Sequence, residues 1–159
     1  MRTLNEFDEC IRRKQLRKET PSFEKAEKSI SESREWLNEA KKSNKSGARR
    51  AAFISIYLAY FHSARAVLFN DGFREKSHYC IGVYLQKLAD EKKMDAKWPL
   101  IFHSIRNQRH TQQYSFQTER SEKEIIQMVA DAENFIQGME KYLVDFSKDE
   151  ENEEQINED

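Results

Sequence analysis

Glycine and proline are scarce, 4 and 2 in 159 residues. A many-stranded sheet needs turn residues at each reversal, so the shortage argues against one and for long helices joined by few loops. No run of about 18 apolar residues occurs, so no segment is expected to cross a membrane. The opening stretch "MRTLNEFDECIRRK" is charged throughout and lacks the apolar core of a signal peptide. Cys10 and Cys80 stand alone, without metal or disulfide spacing, and are expected as buried free thiols in a reducing cytoplasm. Four histidines among scattered acids give no metal-ligand pattern. There is no Gly-rich phosphate loop, nucleophile elbow or kinase signature. Neither a metal nor a cofactor is expected.

What the chain has is charge: 35% of residues, against 38% hydrophobic. That balance suits amphipathic helices that bury one stripe and solvate the rest. The net charge of −1 hides an asymmetry, because the last eleven residues, "DEENEEQINED", hold seven acids and no base. Without them 21 acids face 27 bases, a body of about +6. A basic body with an acidic tail points to an anionic partner. The expected organisation is one domain over residues 1–147, followed by an acidic disordered tail over 148–159.

Apolar periodicity divides the body into helices. A short first helix is expected over Leu4–Lys18, with Leu4, Phe7 and Ile11 on its apolar side, ended by "ETPS" and Pro21. A second, Pro21–Ser43, carries Phe23, Ala26, Ile30, Ser33, Leu37 and Ala40, at intervals alternating three and four. The third, Ala48–Asn70, is the most apolar and reads as central, ending at Gly72. A fourth runs from Ser77 to Lys92, and a fifth starts around Pro99. The last, Ser121–Phe146, opens with the Ser121/Glu124 capping pattern. No segment reads as a strand. Short connections imply an all-α, antiparallel up-and-down bundle of four to five main helices.

On the fifth helix "IRNQRHTQQYSF" stands out. His103, Arg106 and His110 share a face at i, i+3 and i+7. Arg109 lies beside that face, and Tyr114 falls near the helix end. Guanidinium groups pair with phosphate oxygens bidentately. Beside them an imidazole is held neutral, as a general base for an RNA 2′-hydroxyl requires. His110 is the expected base, with Arg106 or Arg109 stabilising charge on phosphorus. The bland alternative is a helix end rich in basic and amide side chains. His62 is expected as a hydrogen-bonded histidine of the interior, and His78 as a first-turn residue capped by Ser77.

"AFISIYLAYFHSARAVLFNDGFREKSHYCIGVYL", residues 52–85, resembles the core of the HEPN superfamily. It is similar to a small, free-standing prokaryotic branch through Tyr57, Phe61, His62, Ala64, Arg65, Ala66, Val67, Leu68, Gly72, Lys76, Ser77 and His78. "RNQRHTQQY" resembles that branch's Arg-rich segment, and "DAENFIQGMEKYL" its final helix. The resemblance implies a helical bundle, usually a homodimer, with its polar motif in a cleft at the subunit interface. It implies RNA or nucleotide binding, in many members as metal-independent endoribonucleases of toxin–antitoxin or defence systems. Others are non-catalytic modules that partner a minimal nucleotidyltransferase, which acts as antitoxin in some pairs. The catalytic set it implies is Arg106, Arg109, His110 and Tyr114, with Asn107, His103, Lys76 and His78 as RNA- or nucleotide-binding residues. His110 follows Arg106 one position earlier than the family's Arg-to-His spacing.

Overall fold

The computed structural model describes residues 5–114 and 119–147, with the side chains of residues 113 and 114 outside that description. Six helices occur in chain order: α1 (Glu6–Arg12), α2 (Phe23–Lys45), α3 (Arg49–Asp71), α4 (His78–Asp90), α5 (Lys97–Tyr114) and α6 (Glu122–Asp145). The all-α expectation holds. Two three-residue strands, β1 (Leu16–Lys18) and β2 (Phe73–Glu75), pair antiparallel and correct the expectation of none.

The first expected helix therefore stops early. Lys14 takes a left-handed turn (φ 57°), and the chain then extends through β1, burying Leu16. Leu4 lies outside the described residues. The second helix starts two residues after Pro21, because Ser22 is the cap: its Oγ accepts the N–H of Lys25 at 3.1 Å. Along α2 the residues facing inward are Ala26, Ser29, Ser33, Leu37, Ala40 and Asn44. Most are small, which lets α2 lie close against α3 over its length. Ser29 Oγ donates to the His62 carbonyl across that seam at 2.7 Å.

α3 is central, as its composition suggests, with Phe53, Ile56, Tyr57, Val67 and Leu68 all fully buried. It is long and apolar enough to cross a membrane by length and composition, but 72% of that window is buried inside the protein. Gly72 ends it at φ 85°; a Cβ there would stand 2.7 Å from the Glu19 carbonyl, so glycine is required twice over. α6 packs on α2 and α3 through Ile125, Ala132, Phe135, Ile136 and Met139. Ser121 caps it as expected, accepting the Glu124 N–H at 3.1 Å.

α5 packs on α4 and α3 and meets α6 through Trp98 and Phe102, and a groove of about 780 Å³ lies between α5 and α6 beside Trp98 and Met128. Below it Phe135 collects Tyr60, Trp98 and Phe102, at ring separations of 4.8, 5.7 and 6.3 Å. Where α3 ends, Asp71 Oδ2 accepts hydrogen bonds from Tyr84 and Tyr142, each 2.5 Å, and ties α4 and α6 to that end.

The cysteines are not free thiols. Cys10 and Cys80 form a disulfide, with Cα atoms 6.0 Å apart, that fastens α1 to the first turn of α4. Nothing in their spacing shows this, because the two meet only when α1 folds back across α4. Of the tyrosines on α3 and α4, Tyr57, Tyr60 and Tyr84 are buried, and Tyr79 is exposed.

Candidate nucleic-acid interface

The site is built at the N-terminus of α4. Ser77 is extended (φ −123°, ψ 129°), and its Oγ accepts the Cys80 N–H at 3.4 Å, so His78 becomes the first helical residue. The unpaired N–H groups of that turn and the helix dipole favour an anion there. Lys76, exposed, immediately precedes the cap.

The His78 imidazole is fixed from two sides by α3. Its ring stacks on Phe61 with centroids 4.4 Å apart, and Nδ1 lies 2.6 Å from the Tyr57 hydroxyl. Tyr57 is fully buried. Its O–H needs an acceptor, and among the described residues His78 Nδ1 is the one provided. The network therefore assigns the tautomer: Nδ1 accepts, and Nε2 carries the proton.

Three guanidinium groups surround this pair. Arg109 Cζ lies 4.6 Å from the centroid of the Tyr57 ring, and Arg106 Cζ 5.2 Å from that of Tyr79. Arg65, on α3, stands 5.5 Å from the Phe61 ring that carries His78. Burial holds the His78 pKa below its ordinary value of 6.5, and Arg109, Arg106 and Arg65 push it the same way. Burial raises the Tyr57 pKa, against the pull of Arg109 and Arg106. At neutral pH the pair is thus an uncharged donor set among permanent cations. Arg106 Nε is buried without a hydrogen-bond partner. Arg65 is balanced by Glu75 at 3.0 Å, whereas Arg106 and Arg109 form no ion pair among the described residues.

The other expected residues divide. His103 joins the edge of the cluster, 5.8 Å from the Tyr79 ring, its pKa lowered by burial and then by Arg106, with Glu6 opposing. It lies over Gly82, where a Cβ would stand 2.5 Å from its Cε1, so the absence of a side chain at 82 makes room for the ring. His110 is exposed, and the imidazole among the arginines is His78 instead. Arg106 reaches Tyr79, the second residue of α4. Asn107 is exposed on the solvent side of α5. The side chain of Tyr114 lies outside the described residues. His62 is half-buried on the outer side of α3, with its ring 5.0 Å from Phe61, and does not sit in the interior.

Residue periodicity missed Tyr57 and Tyr79 as parts of the site. Tyr57 reads as core, which it also is; the signal that sets it apart is its place in the same resembling segment as His78. Tyr79 projects outward, and its hydroxyl donates to Glu6 Oε1 at 2.9 Å. Among the described residues no group of three or more His, Cys, Asp or Glu side chains comes together to hold a metal.

No curated protein shows significant similarity to the chain. The HEPN domain model matches residues 26–142, a span that runs from the first buried residue of α2 to the Tyr142 that bonds Asp71 and takes in every cluster residue named above except Glu6. By that match over most of its length, and with the helical architecture it requires, the chain belongs to the HEPN domain family.

Proposed function

We propose that this protein binds RNA, seating a backbone phosphate where the N-terminus of α4 meets Arg106 and Arg109. The carrying observation is the convergence of those two guanidinium groups, neither in an ion pair among the described residues, on a neutral His78 bonded to Tyr57 through Nδ1. Guanidinium pairs and helix N-termini are the groups that hold phosphates in position. An exposed Tyr79 beside Arg106 supplies a ring for a base to stack on.

The tautomer favours binding over cleavage. A general base needs a free lone pair on Nε2, and moving the proton to Nδ1 leaves the buried Tyr57 hydroxyl without an acceptor. The resemblance of residues 52–85 to the small prokaryotic branch supports the wider setting: a homodimeric component of a toxin–antitoxin or defence system, with a minimal nucleotidyltransferase as partner.

The test is binding and turnover of single-stranded RNA by purified protein in EDTA. Arg109→Ala is expected to weaken binding about tenfold or more and to reduce the salt slope by roughly 0.7, the share of one phosphate. His78→Ala is expected to weaken binding, and His110→Ala to leave it near wild type. Binding that ignores salt and Arg109 sinks the proposal. RNA cleavage in EDTA that His78→Ala abolishes replaces the binding reading with an endoribonuclease that uses the other tautomer. Sedimentation of wild type as a monomer at all concentrations removes the dimer.

A further inference from the structure

A second cationic surface adjoins the first, and nothing in the His78 cluster accounts for it. β1 and β2 pair with Arg17 directly opposite Arg74. Both side chains are exposed, and neither forms an ion pair among the described residues. Like charges directly opposite on a two-stranded ladder weaken it, and a ladder of three residues per strand has little else to hold it. An anion bridging the two arginines reverses that sign.

Beside the ladder a hollow of about 270 Å³ opens between β2, α2 and α3. Its walls include Arg74, Lys25, Lys28, His62, Arg65 and Phe69. Carboxylates are present too: Lys25 lies 3.6 Å from Glu19, Lys28 3.0 Å from Glu24, and Arg65 3.0 Å from Glu75. Arg74 in its wall, and Arg17 across the ladder from it, form no ion pair among the described residues. Burial lowers the His62 pKa, against the charge of Glu32 and helped by Arg65, so this imidazole is a neutral group at pH 7.

Arg65 joins the two surfaces. Its guanidinium lies 5.5 Å from Phe61, the ring under His78, and 4.9 Å from Phe69, which lines the hollow. Lys25 covers Phe69 from the other side at 5.8 Å. Arg65 thus stands between the His78 cluster and the hollow whose wall includes Arg74, and Arg74 faces Arg17 across the ladder.

We infer that the Arg17–Arg74 ladder and the adjoining hollow form a second phosphate site, which holds an RNA strand as it leaves the His78 cluster. The inference rests on the RNA reading above and extends it from one phosphate to a path several nucleotides long. A strand is the fitting occupant because its phosphates repeat, as the charges here do, and because the surface offers little beyond charge to select a sequence.

The experiment compares two ligands by fluorescence anisotropy over a salt series: an RNA dinucleotide and a single-stranded RNA of about 12 nucleotides, within the range of strand-binding site sizes. The Arg17→Gln/Arg74→Gln variant is expected to bind the long strand about tenfold more weakly, with a salt slope smaller by about 1.4, the share of two phosphates. Its affinity for the dinucleotide is expected to match wild type. Arg109→Ala is expected to weaken both ligands. The double variant removes a repulsion, so its melting temperature should not fall; Arg17→Gln alone, with about half the slope change, is the second variant if it does. A double variant that binds the long strand as wild type does overturns the second site, while an effect of Arg109→Ala in the same series keeps the first. An Arg109→Ala protein that binds the dinucleotide normally overturns the first, and the ladder site is then decided by its own variant. Displacement of the long strand by polyglutamate at equal charge identifies an acidic protein segment as the occupant and overturns the RNA assignment, as does a wild type that binds no RNA.

Discussion

His78 shows how one side chain takes its chemistry from its neighbours. Its pKa lies below the ordinary 6.5 because burial opposes the imidazolium and three arginines add to the cost. The unfolded chain then takes up a proton near pH 6.5 that the folded chain accepts only at lower pH. Stability is therefore complete above about pH 6.5 and declines as pH falls through it. His62 and His103, lowered by burial in the same way, contribute to the same decline. Urea midpoints from pH 7 down to about pH 5 should fall, and His78→Asn should flatten that acid limb; an acid limb of equal slope in the variant removes His78 from the set. Arg106 and His103 were legible on one helical face with Arg109 beside it, because 3.6-residue periodicity needs no partner. That His78 and not His110 completes them was not legible, since it depends on where α4 begins relative to α5.

At the scale of elements, helices and caps were the readable part. Ser22, Ser77 and Ser121 each accept the N–H three residues on, and Gly72 supplies the left-handed turn. These are local interactions, visible in a few consecutive residues. The β1–β2 ladder was not readable, for it joins strands of three residues separated by the whole of α2 and α3, and its register comes from α3 delivering residue 73 beside residue 18. The Cys10–Cys80 bond is the same kind of feature. It closes a separation of 70 residues and holds a seven-residue helix that has too few turns to stand alone. Reduction, or Cys10→Ser, is expected to lower the unfolding free energy by about 2–4 kcal/mol. It should also release α1, visible as faster amide exchange over residues 6–12. Unchanged exchange there shows that packing of Phe7 and the Glu6–Tyr79 bond suffice.

For the molecule as a whole, cohesion where α3 ends centres on Asp71. Two buried phenols donate to a single oxygen, and Asn70 Nδ2 donates to the other at 2.8 Å, so three helices close on one carboxylate. Burial and Asp71 drive the Tyr84 pKa far upward, which keeps that phenol a donor. Asp71→Asn sets an amide donor against these donors and is expected to cost about 3 kcal/mol, read from chemical denaturation; a cost under about 0.5 kcal/mol would mean that the tyrosines find other acceptors. The sequence by itself determined the helices, their order, their caps and the basic character of the body, because each follows from composition and from residues within two turns of one another. Only the tertiary structure decided which histidine the arginines surround, that the cysteines are joined, and that Arg17 faces Arg74. Those depend on distances between residues far apart in the chain, and they exist only once the core of α3 has drawn α1, α4 and α5 around itself.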